Sequence, residues 1–301
     1  MNRSTGFTLV ESLVAMLLVL VVLAGSLALV ARARNAQRVG ESLARIEEAL
    51  DAGFVVLVDE IRLAGYLGLA PPAGLVEGAS AIGTPERPDL AVSGSCGASV
   101  AHDLPVPLAA VDAAYQAWAG MPLGCRPSPD GRHAVSADTL IVRHAAAETS
   151  EPEPGRLQLE TNLRAAMLVA DGAARLGSDA RWHDLEVGIY YISADSTGRA
   201  GWPSLRRKRL VGGTQPSFQD EELVSGIADL QVEFGLDDPA DADRAVDHWI
   251  APASLPAGAA PRAVRLELEA WSDIQEPSQA EHRRSRRVAR VVELRNGGTT
   301  P

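Results

Sequence analysis

The sequence predicts an α+β protein: a long N-terminal helix, its first half spanning a membrane, packed through its second half on an antiparallel β-sheet domain. Three observations predict it. An uncharged run rich in Leu, Val and Ala extends from Leu13 to Ala31. Behind it Val39, Leu43, Ile46, Leu50, Phe54, Leu57, Ile61 and Ala64 step by four and three, which lines them up on one helix face. From Asp138 onward the chain becomes a series of short β-rich segments separated by Gly, Pro, Asp and Ser.

The apolar run reaches about 28 Å at 1.5 Å per residue, enough for a bilayer core of roughly 30 Å. That is long for the apolar region of a removable signal peptide. Arg45, Glu47, Glu48, Asp51, Asp59 and Arg62 lie mostly off the later stripe, so one side of this half faces water. Gly65 and then Pro71-Pro72 supply the stop. Gly40 and Gly53 weaken the helix by about 1 kcal/mol each, so a kink is allowed there. The helix is expected over residues 7–65, about 90 Å long, with residues 7–31 in the membrane.

Residues 66–136 are rich in Gly, Pro, Ala and Ser and read as a mostly irregular connection, with a short helix expected around Ala109–Ala119. This segment holds both cysteines, Cys96 and Cys125. Neither lies in a C-x-x-C, which removes the redox and zinc-ribbon readings. In an exported domain a Cys96–Cys125 disulfide would pin this segment and contribute about 3 to 4 kcal/mol; two free buried thiols are the other reading. Strands are expected at Asp138–His144, Arg156–Glu160, Val187–Ser193, Ile227–Leu236, Ala263–Trp271 and Arg287–Arg295. Val264, Leu266 and Leu268 alternate with Arg265, Glu267 and Glu269, the signature of a half-solvated antiparallel sheet. The β domain is placed at residues 137–296, with residues 297–301 as a tail.

Composition narrows the function classes. A net charge of −11 argues against a nucleic-acid partner bound through a broad basic surface. Lys208 is the only lysine, which together with abundant Ala, Gly and Val reads as codon bias.

The N-terminus admits three readings: a signal peptide cut after Ala31-Arg32-Ala33, a plain signal anchor, or a leader of residues 1–6 cut after Gly6. Glu11 bears on the choice, as the only ionisable side chain from Phe7 to Ala31. A carboxylate within a membrane segment costs roughly 2.5 to 3.5 kcal/mol on insertion scales, so it calls for a partner. Cleavage after Gly6 creates one, a new α-amine at Phe7. Thr8-Leu9-Val10-Glu11 is equally a T-x-x-E capping box, in which Glu11 satisfies amides at the helix start. The context tips the balance: Gly6-Phe7-Thr8-Leu9-Val10-Glu11-Ser12 resembles the processing site of type IV prepilins. The resemblance implies cleavage between Gly6 and Phe7 by prepilin peptidase, N-methylation of Phe7, and a role for Glu11 in docking into a growing filament. It also implies a type IV pilin-like fold. Arg3 alone precedes the span while Arg32, Arg34 and Arg38 follow it, so a positive-inside count would keep the C-terminal part in the cytoplasm. The resemblance implies the opposite, a periplasmic C-terminal domain on a single-pass inner-membrane anchor, and large domains translocate regardless of such charges.

A narrower resemblance runs through the rest of the chain. Asp59–Gly68, Tyr190-Tyr191-Ile192, Pro203-Ser204-Leu205, Glu222–Ile227, Leu230–Asp237 and Leu294-Arg295-Asn296 are similar, in order, to stretches of the PilW family of minor pilins. Where that family leads one to expect a cysteine, just after Tyr66-Leu67-Gly68, this chain has Leu69, so the Cys96–Cys125 pairing rests on parity alone. The resemblance implies a subunit without catalytic activity that helps prime and assemble a type IV pilus near its tip, supporting adhesion and twitching motility. Its partners would be other minor pilins, the major pilin, the assembly platform and membrane lipid. A J-like pseudopilin of a type II secretion system shares the leader and helix; a membrane-tethered periplasmic enzyme or binding module is the competitor of another class.

Other chemistry is thinly supported. Asp237, Asp238, Asp241, Asp243 and Asp247 crowd the link between two expected strands. A solvated acidic hairpin loop accounts for them; a calcium site of Asp237, Asp241, Asp243 and Asp247 is the alternative, without EF-hand spacing. No other cofactor is expected. His102, His133, His144, His183, His248 and His282 show no ligand spacing, and Ser95-Cys96 lacks a G-x-S-x-G elbow. Trp182, Trp202, Trp249 and Trp271 read as packing residues. The basic runs Arg206–Arg209 and Arg283–Arg287 read as solvated faces, with a docking patch for an acidic partner as the sharper alternative.

Overall fold

A computed structural model describes residues 8–69, 76–94, 96–97, 99–238, 245–256, 258–272 and 284–296. Among the described residues one α-helix, α1 (Leu9–Leu63), precedes fourteen strands. In chain order these are β1 (Val76–Glu77), β2 (Leu108–Val111), β3 (Gln116–Trp118), β4 (Met121–Pro122), β5 (Thr139–Ala145), β6 (Gln158–Thr161) and β7 (Ala166–Val169). There follow β8 (Arg181–Ser193), β9 (Ser204–Val211), β10 (Ser217–Ser225), β11 (Ile227–Leu236), β12 (His248–Ile250), β13 (Ala263–Trp271) and β14 (Ser285–Glu293). The chain divides into two compact units, residues 1–45 with 272–284 and residues 46–271 with 285–301.

In the first unit the Leu13–Ala31 stretch of α1 is apolar on all sides and exposed throughout: Leu13 is 59% accessible, Leu20 65% and Leu27 67%. Its most apolar window has a mean hydropathy of 3.0, and none of that window is buried in the protein. The Ser12 and Ser26 hydroxyls donate back to the Leu9 and Val22 carbonyls at 2.9 and 2.8 Å, so neither hydroxyl needs water.

In the second unit the helix is one-sided. Ile46, Leu50, Phe54, Leu57, Ile61 and Ala64 are buried. They pack with Leu140, Val142, Tyr190 and Ile192 of one sheet and with Leu230, Val232, Leu266 and Leu268 of another. Burying each large side chain contributes roughly 1.5 to 3 kcal/mol. Leu43, on the same stripe, stays 43% exposed. The helix runs unbroken through Gly53, where a Cβ would lie 3.0 Å from Leu268 Cδ1, so the glycine lets α1 approach the sheet. The helix stops where expected. Gly65 takes a φ of +77°, open to glycine at little cost, and its amide donates to the Arg143 carbonyl at 3.0 Å.

The larger sheet has eight strands in the order β1-β7-β6-β8-β5-β2, with β9 paired to β8 and β10 to β9. Strand β8 organises it: Arg181–Asp184 pairs β6, Leu185–Tyr190 pairs β5, and Gly188–Ser193 pairs β9. The smaller sheet runs β12-β11-β13-β14, all antiparallel. In β13, Val264, Leu266 and Leu268 are buried while Arg265, Glu267 and Glu269 are half-exposed, as the alternation predicts.

The segment before β5 is more ordered than its composition suggests. In place of a helix at Ala109–Ala119, β2 pairs with β5 and β3 pairs with β4. Alanine tolerates either state, and here the open edge of β5 decides. Cys96 and Cys125 are joined as a disulfide across 29 residues of sequence. It packs with Val100, Ala109, Leu123, Ile141 and Ile189. Ile141 alternates with Leu140 and Val142, which face the helix, so both faces of β5 are covered and every residue of that strand is buried. Arg143, fully buried, holds the covering loop by donating to the Val100 and Val106 carbonyls, each at 2.6 Å.

Candidate assembly site

At the N-terminal end, the Glu11 amide lies 3.3 Å from Thr8 Oγ1, and Glu11 Oε2 accepts from the Thr8 amide at 3.4 Å. The reciprocal capping box therefore forms in the unprocessed chain. Gly6 and Phe7 lie outside the described residues. A new amine at Phe7 would compete with, or join, an existing bond from Glu11 to Thr8.

At the other end of α1 a second carboxylate is held by the sheet. Glu60 Oε2 lies 3.3 Å from His144 Nε2 on β5, and Oε1 lies 3.2 Å from Arg207 Nη1 on β9. Arg207 Nη1 is also 3.3 Å from the Tyr190 hydroxyl on β8. His144 is 3% exposed, and its Nδ1 lies 2.8 Å from the Ala145 carbonyl, which can only accept. Both ring nitrogens thus face acceptors, an arrangement complete only when both carry protons. Burial alone would depress the His144 pKa, but the bonds to Glu60 and the Ala145 carbonyl and the charges of Glu60 and Glu186 hold it above the ordinary histidine value. Burial pushes the Glu60 carboxyl up, and His144 and Arg207 outweigh it and hold it below the ordinary range.

Arg207 belongs to a ladder that corrects the reading of the first basic run as a solvated face or docking patch. Across the β9–β10 pair, Arg206 faces Glu222, Arg207 faces Glu221 and Lys208 faces Asp220. Arg206 reaches Asp220 at 2.6 Å and Glu222 at 2.7 Å, Lys208 reaches Asp220 at 3.0 Å, and Arg207 reaches Glu221 at 2.5 Å. Arg206 and Lys208 are buried. Such a row cannot serve an external acidic partner, because its charges are already met inside the fold. The second basic run is likewise engaged. Arg286 pairs with Glu47 of α1 and Arg287 with Glu269, Glu267 and Asp229; beyond the run, Arg290 pairs with Asp51 of α1 at 2.5 Å. Arg283 lies outside the described residues.

Of the acidic loop, Asp237 pairs with Arg262 at 3.2 Å, and Asp247 Oδ2 accepts from the Asp238 amide at 2.5 Å. Asp241 and Asp243 lie outside the described residues, as does Ser95. Among the described residues no group of three His, Cys, Asp or Glu could hold a metal ion. Trp182 and Trp202 are buried, and Trp271 meets Trp202 edge to face. Trp249 is half-buried, with Arg265 over its ring.

Sequence reasoning missed the Glu60 clamp and the ladder. The ladder had a signal: a basic run and an acidic run, Gln219-Asp220-Glu221-Glu222, flank Gly212-Gly213 as the two arms of a hairpin would. The clamp had none, because Glu60, His144, Tyr190 and Arg207 are far apart in sequence.

Comparison with known families bears on both ends of this arrangement. Residues 1–27 match the prokaryotic N-terminal methylation motif, which covers the capping box and most of the exposed apolar helix. Residues 189–283 match the type IV pilus-assembly protein W family, which covers the ladder and most of the smaller sheet. No curated protein and no solved structure gives a significant match. The motif and the apolar helix fit a subunit anchored in the inner membrane and incorporated into a pilus, a structural role that implies contact with other pilins and processing by prepilin peptidase. The methylation motif at one end, the assembly-protein segment at the other, and a long apolar helix leading into antiparallel sheets together match a type IV minor pilin of the PilW family.

Proposed function

We propose that the subunit primes and assembles a type IV pilus, taking its place with other minor pilins near the tip, and has no catalytic activity. The single observation that carries the reading is the pairing in one chain of the methylation motif over residues 1–27 with the pilus-assembly segment over residues 189–283. Prepilin peptidase cuts between Gly6 and Phe7, Phe7 is N-methylated, and the sheet domain lies in the periplasm. The exposed apolar half of α1 associates with other pilin helices in lipid, and Glu11 pairs with a terminal amine, its own or a neighbour's. Through this role the subunit supports adhesion and twitching.

Deletion with complementation tests the proposal. Loss of surface pili and of twitching, both restored by the wild-type chain, is the expected result. Loss of exoprotein secretion with piliation intact would make it a secretion pseudopilin instead, and loss of neither would remove it from both machines.

A further inference from the structure

Arg32, Arg34 and Arg38 follow the apolar run directly and are all exposed. None has a carboxylate partner among the described residues, and Glu41, the nearest acid along the chain, accepts from Gln37 Nε2 at 2.9 Å.

We propose that Arg32, Arg34 and Arg38 form a collar that binds the phosphates of anionic phospholipid headgroups and so fixes the depth of the helix in the bilayer. The dimensions agree. Leu13–Ala31 covers about 28 Å, so Arg32 begins where a hydrocarbon core of roughly 30 Å ends. From Arg32 to Arg38 the helix climbs about 9 Å, comparable to a headgroup layer of roughly 5 to 8 Å on each side. At 3.6 residues per turn Arg34 and Arg38 share a face and Arg32 lies well round from it, so lipid is met on more than one side of the helix.

The chemistry also agrees. A guanidinium presents a planar fork of donors that matches two phosphate oxygens, and its stem can lie along acyl chains while the head stays at the interface. Charge complementarity and direct continuity with the lipid-facing span favour headgroups over an acidic protein. A consequence follows at the far end. With Arg32 held at one interface, Glu11 lies about 3 Å beyond Leu13, at the opposite interface rather than deep in hydrocarbon. A carboxylate is far less costly there than at the bilayer centre.

The proposal rests on reading Leu13–Ala31 as a membrane span, but not on which side the sheet domain lies, since both leaflets present phosphates. The test uses the full chain reconstituted in phosphatidylcholine vesicles containing a minority of phosphatidylglycerol. Spin-labelled forms of the two lipids report which one the protein holds in its contact shell. The wild type is expected to prefer phosphatidylglycerol severalfold, with about fivefold per arginine as a ceiling. The preference should disappear in the Arg32→Gln/Arg34→Gln/Arg38→Gln variant and fade in high salt. Equal preference in wild type and variant overturns the collar. Flotation of both proteins with the vesicles in high salt separates that outcome from failure of the span itself, in which case neither protein floats and the collar falls with it.

Discussion

The two halves of α1 are both rich in apolar residues and dispose of them in opposite ways. From Leu13 to Ala31 those residues point in every direction and all are exposed. From Ile46 to Ala64 the buried ones keep to one stripe, while Val55, off it, is 58% exposed. The difference teaches that angular distribution, rather than the amount of apolar surface, assigns each half its surroundings. A stripe can be covered by a sheet. An all-round apolar helix needs lipid or the helices of other subunits. Polar groups follow the same division: near the span they close on the helix's own backbone and caps, whereas Glu60 in the second half reaches three strands of the sheet.

Core truncation gives the largest expected contrast. Phe54→Ala should cost about 3 to 5 kcal/mol in thermal or denaturant unfolding of the full chain in detergent. Leu20→Ala, in the exposed half, should leave that transition unchanged. Equal effects would mean that the two halves share one environment.

The next contrast is a dependence on pH confined to the second half. His144 meets Glu60 from α1 and lies opposite Glu186 of β8, and Glu60 in turn meets Arg207 from β9, which also reaches the Tyr190 hydroxyl. Its folded pKa lies above the unfolded value, so its contribution is fully present below the ordinary histidine pKa and is lost as pH rises through the raised value. Melting temperature should therefore fall as pH rises through that window in the wild type, and fall less in His144→Gln. Identical pH profiles for the two proteins would remove His144 from the clamp.

Two glycines give a smaller, opposed pair. Nothing lies within 4 Å of a Cβ placed on Gly40, so Gly40→Ala should gain about 1 kcal/mol of helix stability. At Gly53 the same gain meets Leu268 Cδ1 at 3.0 Å, and Gly53→Ala should come out neutral or destabilised. Circular dichroism melts of both variants check the pair. The smallest effect is expected at the acidic loop. Because Asp237 already serves Arg262, added calcium should leave the melting temperature unchanged, and a shift abolished by Asp241→Asn/Asp243→Asn would establish the calcium reading instead.

What could be read in the sequence follows the same physical line. The helix, its stop at Gly65, and strands β11 and β13 could be placed because each signals itself locally, by period or by a single glycine. Strands β9 and β10 escaped because Arg206 and Lys208 look like surface residues until Asp220 and Glu222 are set opposite them. The segment carrying β2 and β3 escaped because its strand character comes from the edge of β5 and the face it covers, not from its own alanines. At the candidate assembly site Glu11 was legible as a pattern, and its capping bonds to Thr8 are present. The partner that processing would give it cannot exist until Gly6 and Phe7 are separated.

That partner is the centre of the account, and the N-terminus of the protein extracted from membranes tests it most directly. Mass spectrometry and N-terminal sequencing should find a chain beginning at N-methylated Phe7. A chain beginning at Met1, or beyond Ala33, would contradict the account, because Glu11 would then have no new amine to meet or would itself be gone.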